Sequence, residues 1–429
     1  MNRTGPLAWA VALLATATMA VSYVDRLAIS VLAPTIMKAL HLSDGDYGWI
    51  VAAFSIAYLV GAPLAGRFID RVGARRGLVA SVILWSVVAA AHALVPGMFV
   101  LFMLRILLGI AEAPSFPGAA QTITRVLPPS ERSLGFGILF CGSSFGAMIA
   151  PPLVTWLEVR YGWRLALVGT SVVGLTWVPI WITLTGRGWA KKALDANPTA
   201  DVPPETAPGQ PLRAPILKAA IDAGVPFSWT RLLRRPSVLR AAIMIVAAAP
   251  LTSFVLAWGA KLLVDTYRIP QSQVGRYLWL PPAVFDLGSI GFGYLATLRD
   301  RRARTSHPFL LLAALGFALV LASQPLARTA WGATTVLAIC MVGTGGMYAL
   351  VTSDVMHRLP KPWIARSAGI TAAAQSLAII LTNPVVGSLK QHTGTYTIVT
   401  VGLALWTLPG VAFWLALEGR VRREVAPDP

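Results

Sequence analysis

Apolar runs of about twenty residues recur along the whole chain, separated by short polar stretches. Each is long enough to cross a hydrocarbon core of ~30 Å as an α-helix. Twelve can be marked, at 9–37, 47–66, 78–95, 98–120, 134–157, 163–185, 238–264, 275–297, 307–325, 332–353, 366–388 and 396–417. Helices are required, because lipid offers no partner to an unpaired backbone group. The rhythm breaks once, at 186–236, where GRGWAKKALDANPTADVPPETAPGQPLRAP is rich in Pro, Ala and charge. That composition predicts a partly disordered linker. It divides the spans into a first bundle of six (1–185) and a second (237–429). GRFIDRVGARRG (66–77) after the second span is weakly echoed by GYLATLRDRRAR (293–304) after the eighth. The expected fold is an all-α membrane protein, twelve transmembrane helices in two pseudo-symmetric six-helix bundles, with any substrate held between the halves.

Composition agrees. Hydrophobic residues make up 56% of the chain and charged ones 13%, whereas a soluble domain is about a quarter charged. The net charge of +18 raises the question of nucleic acid, but its placement answers it. Arg67, Arg71, Arg75 and Arg76 follow the second span, Arg125 and Arg132 the fourth, Lys191 and Lys192 the sixth, and Arg299, Arg301, Arg302 and Arg304 the eighth, while alternate loops carry few basic residues. This positive-inside pattern predicts cytoplasmic termini and a cytoplasmic central loop. The first apolar run is full length and lacks a small-residue cleavage site, so no cleavable signal peptide is expected. Cys141 and Cys340 lie in apolar spans of opposite halves with no paired spacing, which predicts helix packing. The five histidines show no ligand pattern, and neither a metal nor a cofactor is expected.

Six charged residues interrupt the spans: Asp25 and Arg26 in the first, Arg105 and Glu112 in the fourth, Lys261 in the seventh and Asp286 in the eighth. A charge near the bilayer centre costs at least ~2.5–3.5 kcal/mol, so such residues persist in pairs or facing water. Asp25 and Arg26 point about 100° apart on a helix, and Arg105 and Glu112 share a face about 10 Å apart. Each therefore needs a partner on another helix, or a ligand; the plain alternative is an ion pair that only clamps the first bundle. Arg26 and Arg105 carry forked donors suited to carboxylate and Lys261 a point charge. Tyr23, Tyr58, Ser143, Ser144, Gln375 and Asn383 bring hydroxyl and amide groups that can bind a polar ligand, although helix packing explains each singly, and a cap at the break before Pro384 explains Asn383. The six charges sum to zero. A bound anion makes the cavity negative, and a proton on Asp25 or Glu112 restores neutrality. The charge count thus predicts proton–anion symport, with Asp25 and Glu112 as acceptors. For Asp286, gating or helix packing is as good a reading as substrate contact, and Asp354 is expected to pair with basic loop residues.

GRFIDRVGARRG resembles the loop signature of the major facilitator superfamily, with Gly66, Asp70, Arg71, Gly73, Arg75 and Arg76 in place. The resemblance implies a gating role for Asp70, Arg71, Arg75 and Arg76. YVDRLAISVLAPTI and LRILLGIAEAPSFPGA resemble the anion–cation symporter group, whose sugar-acid members are similar along almost the full length. In those carriers an Asp-Arg pair and a glutamate serve proton coupling and anion binding, which implies those roles for Asp25, Arg26 and Glu112. Arg105, Tyr58 and Tyr23 fall where the group has its second arginine and two tyrosines. CGSSFGAMIAPPL (141–153) and WLPPAVFDLGSIGFGYL (279–295) resemble the hexuronate branch. Gly-Ala in place of Leu-Pro before Lys261, and Gln375-Ser376-Leu377 in place of Gly-Asn-Leu, depart from it. The expected activity is uptake of a small organic anion, a hexuronate or hexonate, with protons, by a monomer in a bacterial inner membrane. A proton-driven exporter of lipophilic or cationic compounds, an organic-anion exchanger and a membrane sensor are the competing readings.

Overall fold

The computed structural model describes residues 5–195, 232–300, 308–359 and 361–423. Its first half runs α1 (Pro6–Val31), α2 (Ala33–Ala39), α3 (Asp44–Val72), α4 (Ala74–Ala91), α5 (Met98–Glu112), α6 (Ser115–Val126), α7 (Pro129–Thr185) and α8 (Gly188–Asp195). The second runs α9 (Pro236–Tyr267), α10 (Gly275–Leu278), α11 (Leu280–Asp300), α12 (Pro308–Leu319), α13 (Ala330–Arg358), α14 (Lys361–Thr393), α15 (Thr397–Ala416) and α16 (Glu418–Arg423).

Among the described residues nine helical stretches are long and apolar enough to cross a membrane. One of them, α7, holds two spans: Gly162, at φ 79°, turns the chain where a residue with a Cβ would be strained. α11 and the short apolar stretch Leu310–Leu326 complete twelve crossings. Most boundaries follow local chemistry. Ser43 and Asp46 form a reciprocal cap at the start of α3. Gly73, at φ 82°, makes the tight turn into α4. The fourth span breaks at Ala113-Pro114, directly after Glu112, and Ser115 Oγ donates to the freed Glu112 carbonyl at 2.7 Å.

Small residues let the helices close on one another. Gly142 and Gly146 of α7 sit on Thr16, Met19 and Ala20 of α1, and Gly288 and Gly345 seat α11 against α13. Gly48 of α3 meets the backbone of Asn383, and Gly387 of α14 meets that of Asp44. These last two contacts join the halves. Tyr47 Oη donates to the Ala257 carbonyl at 2.6 Å, Gly45 N to Gln391 Oε1 at 3.0 Å, and Gln271 Nε2 to the Val31 carbonyl at 2.7 Å. One apolar cluster runs from Met37 and Val51 into Trp258 and Leu262. All lie toward the end of the bundle away from the two termini, so this conformation is sealed on that distal side.

One expectation changes. Cys141 is exposed rather than packed between helices, because α7 turns that face away from α1. The 186–236 stretch opens with an ordered helix, α8, whose Ala190 and Leu194 are buried. The remainder of the expected linker (196–231) and residues 301–307, which carry the basic cluster after the eighth span, lie outside the described residues.

Gly146→Val should overpack the α1–α7 contact at a cost of about 1–3 kcal/mol. Gly402→Val, where the space is open, should not. Thermal unfolding of the detergent-solubilised protein is expected to show a drop of several degrees for the first variant alone.

Candidate functional site

Three of the six membrane-embedded charges, Arg26, Arg105 and Glu112, meet in one pocket of the first half, and Asp25 is buried on another side of α1. α1 carries Asp25 and Arg26 on different sides, as the helical rotation demands. Asp25 is 3% exposed, its carboxylate has Trp85 of α4 and Thr170 of α7 as polar neighbours, and it makes no ion pair among the described residues. Arg26 turns instead toward α5. Its Nε and Nη2 lie 3.1 and 2.8 Å from the same oxygen, Glu112 Oε2, while Oε1 of that fully buried carboxylate has no partner. Three aromatic rings cradle the Arg26 guanidinium: Phe54 at 4.3 Å, Tyr23 at 4.6 Å and Tyr58 at 5.4 Å. Arg105 shares the Phe54 ring at 5.1 Å and donates through Nη1 to the Arg26 carbonyl at 3.2 Å; its Nε is unpartnered.

The chemistry follows from this arrangement. Arg26 is paired with Glu112, and the aromatic faces stabilise both guanidinium groups further. Donor capacity on Arg105 and acceptor capacity on Glu112 and Asp25 are left open inside a low-dielectric pocket, where unsatisfied polar groups are costly. An anion near the guanidinium groups and protons on the carboxylates would satisfy these open groups.

The remaining candidates are placed elsewhere. Lys261 does not join the pocket: at the distal end its Nζ lies 2.8 Å from Asp44 of the first half and 2.6 Å from Asp265. Tyr396 Oη donates to Asp265 at 3.3 Å. Asn383 is saturated within the second half. It accepts from Trp258 Nε1 at 2.9 Å and donates to Ser253 Oγ and the Ile379 carbonyl, both at 2.9 Å. Trp258, fully buried, packs edge-on against Tyr47. Ser143 bonds back to the Phe140 carbonyl, whereas the neighbouring Ser144 donates across the halves to Asp286 at 2.7 Å. Gln375 is half-buried on α14.

At the terminal end the loop residues make a latch. Gln121 donates to Asp70 at 3.3 Å and accepts from Ala74 N, the first amide of α4, at 2.9 Å. Arg75 grips Asp195 of α8 through two 2.8 Å bonds, and Arg125 donates to the Leu194 carbonyl. Hydrogen bonds from Arg75 hold the Asp195 carboxyl below its ordinary range. That contact is complete above the ordinary carboxylate pKa and is lost as pH falls through the lowered one. Arg71 and Arg76 are exposed. In the second half, fully buried Arg240 pairs with Asp354 and with Glu418 (2.8 Å). Arg358 also pairs with Asp354 at 2.8 Å.

Sequence reasoning missed Arg240, Asp44, Asp265 and Tyr348. The spacing of Lys261 and Asp265, four apart on a helix, was a usable signal. Asp44 and Arg240 reach their partners only through tertiary contacts. Tyr348, whose buried hydroxyl has no partner, resembled any other aromatic in a span.

The profile of the Major Facilitator Superfamily matches residues 14–383. The chain belongs to that superfamily. It is thus an integral membrane transport protein rather than an enzyme. Over its whole length it is 28% identical to a hexuronate transporter of Escherichia coli (strain K12), 98% of which is covered. It is 29% identical to a galacturonate transporter of Dickeya chrysanthemi, over 68% of this chain and 82% of that one. A bacterial homolog of the human lysosomal transporter Spinster, solved in an inward-facing and unoccupied conformation, superimposes with a TM-score of 0.76 at 17% identity, covering both chains fully. That likeness establishes the superfamily fold.

Because Lys261 and Asp44 belong to opposite halves, Asp44→Asn should weaken distal closure. An interaction of about 1 kcal/mol corresponds to roughly a fivefold shift toward a distally open form. Electron-spin distance measurements between labels at the distal ends of α3 and α14 are expected to show a longer component in the variant. An unchanged distance distribution would mean that the glycine-mediated contacts close this end without the ion pair.

Proposed function

We propose that the chain imports a small organic anion, a sugar acid such as a hexuronate or hexonate, together with protons. The protein would act as a monomer in a bacterial inner membrane with both termini cytoplasmic. The two six-helix bundles, 1–185 and 237–429, rock about the central pocket to give alternating access. The relatives' names support the substrate class, and the pocket supports the coupling.

One observation carries the reading: Arg26 is held by Glu112, while Asp25, one residue away, is buried with no ion-pair partner among the described residues. An incoming carboxylate competes with Glu112 for the Arg26 fork. Releasing Glu112 as a bare anion in a dry pocket is expensive, whereas releasing it as a neutral acid is not. Proton binding to Glu112 therefore frees Arg26 for the substrate, with Arg105 supplying further donors. Asp25, unpaired and out of water, is inexpensive only when protonated, so it adds a second proton-dependent step. Anion and proton then bind and cross together. An exporter of cations would have no use for two guanidinium groups in its cavity, and a pure exchanger none for two carboxylates.

The test is uptake of labelled glucuronate, galacturonate, galactonate, lactate and benzoate into proteoliposomes under an inward proton gradient. Concentrative uptake of a sugar acid, collapsed by a protonophore, is expected. Arg26→Ala should reduce uptake at least a hundredfold. Asp25→Asn and Glu112→Gln should lose proton-driven accumulation, with Glu112→Gln keeping anion exchange at zero gradient. Extrusion of a cationic dye without anion uptake would establish the exporter instead. Full accumulation by Asp25→Asn would remove that residue from coupling.

A further inference from the structure

We propose that Asp286 reads the hydroxyl groups of the transported acid, at the end of the molecule away from its carboxylate. This rests on the sugar-acid reading above and names the second-half group that would distinguish a polyhydroxylated acid from a plain one.

Asp286 lies on α11, which is seated rigidly on α13 by the Gly288 and Gly345 contacts. Its carboxylate is half-buried, and one oxygen, Oδ1, accepts from Ser144 Oγ of the first half at 2.7 Å. The space beside it is open: Cys141, one helical turn before Ser144 and close enough to Asp286 to feel its charge, is exposed. The adjacent ring, Phe285, packs edge-on against Tyr348 at 5.9 Å. The Tyr348 hydroxyl is buried without a partner and lies within electrostatic reach of Tyr23. Tyr23 in turn carries the Arg26 guanidinium at 4.6 Å. Tyr348 thus stands between the cationic pocket of the first half and the α11 turn that carries Asp286.

Charge decides what Asp286 accepts. An ionised carboxylate has only acceptor sites. It repels the substrate's own carboxylate, which is drawn to Arg26 and Arg105 of the first half. A neutral donor suits it, and charge-assisted bonds from hydroxyls are stronger than neutral ones. A sugar acid brings one anionic end and several hydroxyls, matching the guanidinium groups and Asp286 in turn. A substrate hydroxyl competes with Ser144 for Asp286, so occupancy also loosens a bond between the halves.

The test is calorimetric binding to the full-length protein in detergent, comparing glucuronate with cyclohexanecarboxylate, a hydroxyl-free acid of the same ring size. Asp286→Ala is expected to weaken glucuronate at least tenfold while leaving cyclohexanecarboxylate within twofold. Asp286→Asn, which keeps one acceptor, should fall between; if the alanine variant does not fold, the asparagine variant decides by the same ratio. Equal weakening of both acids would mean a packing role and overturn the assignment, as would no change in either. If the unaltered protein binds cyclohexanecarboxylate but no polyhydroxylated acid, the sugar-acid reading fails and takes this inference with it. A failure confined to the variants leaves that reading standing.

Discussion

The pairing of Arg26 with Glu112 is the interaction on which the rest of the first half depends. Two opposite charges at membrane depth are intolerable singly and acceptable together. Their meeting sets the approach of α1 to α5 and places Phe54 under both guanidinium groups. The break at Ala113-Pro114 directly follows the glutamate, and Ser115 satisfies the carbonyl that the break exposes. The pair takes up neither the whole of Glu112 nor any of Asp25.

The two ends of the bundle are held by different physics. At the distal end the halves touch through glycine-mediated backbone contacts, a tyrosine bond to a carbonyl and the Lys261–Asp44 ion pair. At the terminal end each half is braced within itself: α8 by Arg75 and Arg125, and the second half by Arg240 between Asp354 and Glu418. Bracing within halves and breakable contacts between them suit two bodies that move against each other. Ser144 and Asp286 add a polar contact between the halves at mid-depth.

Much of this was legible in the chain because the membrane restricts the choices. Twelve apolar runs become twelve crossings, with α7 joining two of them at Gly162. Of the charges stranded in the first and fourth spans, Arg26 and Glu112 pair with each other, while Asp25 makes no ion pair among the described residues. The second half was harder to read. Lys261 carries the same chemistry as a substrate-binding cation, and only the packing of α3 on α14 and α9 brings Asp44 to it. Asn383 could be read as a ligand group or as a cap before Pro384, and the structure surrounds it with Trp258, Ser253 and a helix carbonyl.

The sequence by itself determined the number of crossings, the superfamily loop and the set of charged residues that must be paired or wetted. It could do so because lipid penalises each unpaired charge and backbone group regardless of the surrounding fold. Tertiary structure decided which partner each group takes: Glu112 and not Asp25 for Arg26, Asp44 and not the central pocket for Lys261, Ser144 and not Ser143 for Asp286. These choices turn on helix rotation and on approaches between segments far apart in the chain. Local spacing does not encode them.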